Sequence, residues 1–289
     1  MDRIDSILNY LTLKISNEIK NKINNYPNLK KTIQEIRIRV SKPIILKERQ
    51  NDFIIEHIVT NEEILQIMER LCENSIYAYK NQLCEGFLTL KGGHRVGITG
   101  SCVIENGKIQ NIKYISSINI RITREVLNCS NCILDEILDL KNETIYNTLI
   151  ISPPGHGKTT MLRDIVRQIS NGIESKKLKG KTVGLIDERG ELAACYKGIP
   201  QNDVGLRTDI ISNIPKSKAI EILIRSMAPE IIACDEIGNK EDYEAIHKMF
   251  ISGVKGIFTM HGKDINDIKE NEQISKLLNN KQIEKIIVL

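Results

Sequence analysis

The sequence predicts an α/β fold, with a mostly parallel sheet covered by helices on both faces and an α+β module ahead of it. Three observations carry that prediction. From residue 148 onward, short apolar runs alternate with loops and helical stretches. One of those runs enters a glycine-containing turn that opens a helix. Before residue 124 the texture differs, with helical patterns followed by closely spaced strands and turns.

Taken in order, Ile4, Ile7, Leu8, Leu11, Ile15, Ile19 and Ile23 recur close to helical spacing. EIRIRV (35–40) alternates with period two, and PIILKE and FIIEHIV continue as extended runs. Thr60 and Glu63 form a capping-box pattern ahead of Ile64, Ile67, Met68 and Leu71. Between Phe87 and Ile122, Gly92-Gly93 and Asn106-Gly107 read as hairpin turns between alternating segments. The pattern changes over 124–146, which divides the chain into an N-terminal α+β domain (1–125) and a second domain (126–289). In the second, TLIIS (148–152), TVGLID (182–187), EIIACDE (230–236), GIFTMH (256–261) and KIIVL (285–289) are the expected strands.

Composition limits the functional classes. A chain of 289 residues with 41% hydrophobic content buries a sizeable core unaided. No run is long and apolar enough to span a membrane, and the start lacks the apolar core of a secretory signal, so a cytoplasmic protein is expected. The net charge of +4 is mild and its basic residues are scattered among acidic ones; with 4% aromatic residues, no specific nucleic acid is expected. The seven cysteines follow no disulfide framework and read as reduced thiols. Cys129 and Cys132 have C-x-x-C spacing but lack the second pair or nearby histidines that zinc requires.

The chemistry concentrates in NTLIISPPGHGKTTMLRDIVRQIS (147–170). An apolar strand leads to Pro153, Pro154, Gly155, His156, Gly157, Lys158, Thr159 and Thr160, then to a helix with Met161, Leu162, Ile165, Val166 and Ile169 on one face. This is the strand–loop–helix context of a phosphate-binding loop, with Ser152 in place of the first glycine. Gly155 and Gly157 let the backbone curl so that its amides face phosphate oxygens. The helix start adds its dipole. Lys158 is expected on the β- and γ-phosphates, and Thr159 on Mg²⁺; the ligands implied are ATP and Mg²⁺.

Two acidic strand ends complete the set. EIIACDEIG ends a strand expected beside the phosphate-loop strand, with Asp235 assigned to the Mg²⁺ shell and Glu236 to the attacking water. LIDERGE brings Asp187, Glu188 and Glu191 to a second strand end, and TMHG brings Thr259 and His261 to a third.

The set SPPGHGKTT, LIDERGE, EIIACDEIG and GIFTMHG resembles the RecA-like secretion (traffic) ATPases, with a Walker A loop, Asp box, Walker B strand and His box in that order. EIRIRV, GGHRVGITG, INIRITREV and residues 215–218 narrow the resemblance to the stage III sporulation AA family, so it covers nearly the whole chain. It implies a RecA-like P-loop ATPase core in which Asp187, Glu188 and Glu191 match the Asp box, Glu236 the catalytic glutamate and His261 the His box. It further implies a hexameric ring that energises or assembles a secretion-like channel between mother cell and forespore. Membrane proteins of that channel would be its partners, and the septal membrane of the mother cell its site. Traffic ATPases often have glycine where this chain has Asp235, so the metal role of Asp235 rests on the general phosphate-loop argument alone.

Arg95, Arg121, Arg124 and Arg207 are candidates for a cation supplied across a subunit boundary. Three rival readings stay open. One is a GTP-binding switch, since DERG and DEIG match D-x-x-G and NKED (239–242) matches N-K-x-D. The second is an ATP-dependent nucleic-acid-binding module, and the third a scaffold that binds ATP without turnover.

Overall fold

The computed structural model describes residues 3–269 and 272–289. The chain forms two compact units, one ending at Arg124 and the other starting at Glu125. Among the described residues, no helix is long and apolar enough to cross a membrane.

In the first unit, the apolar series from Ile4 to Ile23 is split into α1 (Arg3–Leu8) and α2 (Leu13–Asn25). Thr12 makes the break. Its backbone is extended, its hydroxyl accepts the Ile15 amide at 3.4 Å, and its carbonyl accepts the Ser16 amide at 2.9 Å, which is N-cap geometry. Next come β1 (Glu35–Arg39), β2 (Pro43–Lys47), β3 (Asp52–Ile58), α3 (Asn61–Leu71), β4 (Phe87–Thr89), β5 (Arg95–Glu105) and β6 (Lys108–Arg121). The Thr60–Glu63 capping box that opens α3 is closed in both directions, at 3.2 and 3.0 Å.

The six strands form an antiparallel sheet in the order β3-β2-β1-β6-β5-β4. Ile36 and Ile38 of β1 pack with Ile15, Ile19, Ile64 and Ile67 in one core. Asn106 and Gly107 join β5 to β6 with φ of 51° and 73°, the paired positive dihedrals of a type I′ hairpin. The β5–β6 register slips between Thr99 and Ser101. There a Cβ on Gly100 would lie 2.7 Å from the Lys113 carbonyl oxygen, so the irregularity needs glycine.

The second unit contains β7 (Thr148–Ser152), α4 (Lys158–Asn171), β8 (Val183–Asp187), β9 (Thr208–Ser212), α5 (Lys216–Ser226), β10 (Ile231–Cys234), α6 (Lys240–Ile251), β11 (Lys255–His261), α7 (Glu272–Asn279) and β12 (Lys285–Val288). Its main sheet has the order β9-β8-β10-β11-β7-β12, and every pairing is parallel. Alternate residues of the strands feed two core layers. Ile150, Leu185, Ala233 and Ile257 pack with Leu162, Ile165, Val166 and Ile169 of α4. Leu149, Ile186, Cys234 and Phe258 pack with α5, α6 and α7. Burial on both faces is why these strands read as continuous apolar runs.

Two features depart from the sequence reading. Strand β9 was not among the expected strands; its five residues are all half-buried at the sheet edge and include Thr208, Asp209 and Ser212, so no apolar run marks it. The strand ending near Asp235 does not lie beside the phosphate-loop strand, because β11 pairs with both β10 and β7 and separates them. The connection through α6 is short, and it docks β11 directly against β10.

One buried carboxylate fastens the start of this unit to α4. Asp164 is 3% exposed and accepts the amides of Asn128 and Ser130, each at 2.9 Å, the Ser130 hydroxyl at 2.7 Å and Arg167 Nη2 at 2.7 Å. Burial by itself raises its pKa, but the hydrogen bonds from Ser130, Arg167 and Asn128 outweigh burial and hold it at about 2. A carboxylate whose folded pKa is depressed stabilises fully above its unfolded value near 3.8 and loses that contribution as pH falls toward 2. The drop corresponds to about 2 kcal/mol. Asp164→Asn is expected to lose about that much stability at neutral pH and to flatten the acid dependence between pH 4 and 2. Urea unfolding across that range checks it; an unchanged acid slope would contradict it.

Candidate functional site

The C-terminal ends of β7, β8, β10 and β11 share one edge of the parallel sheet, the edge at which open α/β sheets hold ligands. Ser152 ends β7 fully buried and is not among the residues with positive φ, so this position makes no demand for glycine. The next residues do. Gly155 and Gly157 have φ of 80° and 87°, and a Cβ on either would meet nothing within 4 Å. Dihedral preference therefore selects glycine here, and open space lies over the loop. Pro153 is half-buried, Pro154 and His156 are exposed, and Thr159 and Thr160 lie in the first turn of α4.

Lys158 is 4% exposed. Its Nζ donates to the carbonyls of Ser152 at 2.9 Å and Pro153 at 3.1 Å, and lies 3.1 Å from His261 Nδ1. Burial lowers its pKa below the ordinary lysine value, and the charges of Asp235 and Glu236 oppose that shift.

Two hydroxyls converge on Asp235. Thr159 Oγ1 donates to Oδ2 at 2.5 Å, and Thr259 Oγ1 donates to Oδ1. The same Thr259 oxygen accepts the Glu236 amide at 2.8 Å, so β11, wedged between β7 and β10, ties the two acidic residues in place. Glu236 has φ of 54°, an uncommon left-handed backbone for a side chain of its size. Its Oε1 lies 2.8 Å from His261 Nε2, and its Oε2 accepts from Arg189 Nη1. If Lys158 donates to Nδ1, the His261 proton sits on Nε2 and is donated to Glu236. His261 then bridges the lysine and the glutamate.

A small cavity beside these groups is lined by Glu188, Arg189, Glu191, Lys216, Asp235 and Glu236. Glu188 pairs with Lys216, which is buried at the start of α5. Asp187 is committed to architecture: its carboxylate accepts the amides of Glu191, Leu192, Ala193 and Ala194 at 2.8 to 3.3 Å and shapes the turn after β8. Buried Arg163 on α4 anchors that turn by donating to the carbonyls of Glu191 and Leu192, both at 2.7 Å. Glu191 itself is exposed.

The edge thus gathers Lys158, Thr159, Glu188, Glu191, Asp235, Glu236 and His261, together with two basic residues that the sequence did not single out, Arg189 and Lys216. Arg189 stood inside the acidic run DERGE, and Lys216 follows Pro215. Nothing in that spacing announces a pairing across strands.

The remaining candidates fall elsewhere. Arg207 precedes β9, at the opposite end of the parallel sheet, and donates to the Ser170 carbonyl at 3.0 Å. Arg95 stacks on Phe87 with 3.8 Å between its Cζ and the ring centre, and Arg124 donates to the Ile33 carbonyl at 2.8 Å, both within the first unit. Arg121 of that unit is exposed. Cys129 donates weakly to the Thr160 carbonyl at 3.8 Å. The N-K-x-D run 239–242 opens α6, and its Asp242 carboxylate accepts the Gly238 and Asn239 amides at 3.3 Å. That capping use accounts for the run without a purine base.

Comparison with known proteins agrees with this architecture. The profile of the family described as "Sporulation stage III, protein AA" matches residues 1–289. The chain is 37% identical over 257 residues to the stage III sporulation protein AA of Bacillus subtilis strain 168, covering 89% of this chain and 82% of that protein. Among solved structures, the Legionella pneumophila ATPase DotB superposes with a TM-score of 0.58 at 14% identity, covering 92% of this chain and 73% of DotB. The pilus retraction motor PilT, solved with bound ADP, gives 0.61 at 13% identity, covering 89% and 74%. At such identities these two likenesses establish the fold, that of the RecA-like secretion ATPases.

Proposed function

This chain belongs to the sporulation stage III, protein AA family, and from that premise we propose that it is an ATP-hydrolysing mechanoenzyme that energises or assembles a secretion-like channel between mother cell and forespore. The observation that carries the reading is the convergence of Lys158, Thr159, Asp235 and Glu236 under an open, glycine-shaped loop at one sheet edge. The amides of 153–160 and the start of α4 hold the triphosphate, and Lys158 supplies the ammonium for its β- and γ-phosphates.

The Thr159 hydroxyl and the Asp235 carboxylate, 2.5 Å apart, are hard oxygen donors suited to Mg²⁺. When bound, Mg²⁺ neutralises charge on the phosphates. Glu236 orients the attacking water and takes its proton, while His261 fixes the glutamate. Glu188 and Glu191 complete the acidic wall of the site. Catalysis rests on positioning and electrostatic stabilisation of the transferring phosphoryl group. In this reading the protein works as a hexameric ring, with membrane proteins of the channel as partners, at the mother-cell face of the septum.

The test is phosphate release from ATP and from GTP by the purified chain, run alongside size-exclusion chromatography with and without MgATP. ATP turnover with nucleotide-dependent assembly is the expected result. GTP displacing ATP, with ATP unable to displace GTP, would transfer the reading to a GTP switch. A folded monomer without turnover would overturn it.

A further inference from the structure

The side chain of Arg189 is 66% exposed, on the turn after β8, yet its guanidinium closes on the carboxylate of Glu236. With Arg189 on Oε2 and His261 on Oε1, both oxygens of Glu236 face protein cations or donors. Each partner takes one of the carboxylate's roughly four lone-pair sites, and Arg189 turns Oε2 toward the β8 turn, so its departure frees that oxygen to face water. His261 is fixed at the end of β11 between Lys158 and Glu236, whereas Arg189 is a long side chain facing solvent. Its guanidinium fork suits phosphate oxygens at least as well as a single carboxylate oxygen.

The geometry points to Arg189 as a nucleotide-sensing positioning residue: it latches Glu236 before ATP binds, then moves to the γ-phosphate and releases the glutamate toward water. The inference rests on the nucleotide reading of the site. Arg189 lines one small cavity with Glu188, Lys216, Asp235 and Glu236, so its guanidinium already lies among the acidic groups of the site. The backbone supports the same division of labour. Asp187 and Arg163 hold the turn that carries Arg189, so the side chain is free to move while its anchor stays put. Glu236 sits at a left-handed φ that fixes where its carboxylate is offered.

A double-mutant cycle tests this, with ATP and ADP affinities measured by fluorescent-analogue competition on the full chain in the presence of Mg²⁺. Arg189→Ala is expected to weaken ATP binding about tenfold, one charge-assisted contact, while leaving ADP binding within about twofold. Glu236→Gln removes the competing carboxylate, so it should tighten ATP binding where Arg189 is present and have no effect in the Arg189→Ala background. Arg189→Lys should recover part of the loss, since it keeps the charge without the fork. Equal loss of ATP and ADP affinity in Arg189→Ala, or the same Glu236→Gln effect in both backgrounds, would overturn the latch. A wild-type chain that binds neither nucleotide would instead overturn the nucleotide reading itself. Thermal melts of each variant separate these results from unfolding.

Discussion

Replacing Lys158 by alanine is expected to reduce ATP turnover by roughly 10³-fold or more, the largest effect of any single substitution in this site. Lys158 is a buried cation at the start of α4, and in the proposed reading its ammonium neutralises phosphate charge. It carries a second duty. The carbonyls of Ser152 and Pro153 and the ring nitrogen of His261 all accept from Nζ, so the alanine variant leaves three acceptors without that donor. Some destabilisation of the loop is therefore expected on top of the lost phosphate contact. Lys158→Arg separates the two effects, because it keeps the charge and the carbonyl contacts while altering the reach to phosphate. Phosphate-release kinetics on both variants, with melting temperatures alongside, make the measurement. Turnover in Lys158→Ala within tenfold of wild type would contradict the assignment.

Glu236→Gln carries the second large effect. The amide keeps the shape and can still meet Arg189 and His261, but it cannot take a proton from water. Turnover should fall by about 10²- to 10³-fold with no loss of nucleotide affinity, ATP binding instead tightening as Arg189 loses its carboxylate partner. The pattern matters as much as the size. A loss confined to the catalytic rate places Glu236 at the reacting water, whereas equal loss of affinity would place it in binding. A variant that turns over at the wild-type rate would contradict the catalytic role and favour a scaffold that holds ATP without cleaving it.

Much of this architecture was legible in the sequence where local chemistry and tertiary context agree. TLIIS, TVGLID and EIIACDE are unbroken apolar runs because the sheet buries them on both faces. Asn106-Gly107 and the Thr60–Glu63 box announce a hairpin and a helix start because their geometry is decided within a few residues. Gly155 and Gly157 signalled a tight backbone curl for the same reason, and both have positive φ. What stayed hidden depends on partners distant in sequence. Strand β9 gains its place from pairing with β8, and its apolar signal is limited to the pair Ile210-Ile211. The insertion of β11 between β7 and β10 is a choice among crossovers that neither strand encodes alone. The apolar series from Ile4 to Ile23 gave no sign of its break after Leu8, where Thr12 caps the start of a second helix. Arg189 and Lys216 each meet a carboxylate far along the chain, and a single arginine in an acidic run looks like ordinary surface charge.

Isothermal titration of the wild-type chain with ATP in the presence of Mg²⁺ probes the central claim most directly. Saturable heat at one site per chain, competed away by ADP and absent from Lys158→Ala, is the predicted result. A folded wild-type chain that takes up neither nucleotide would contradict the phosphate loop and every role built on it.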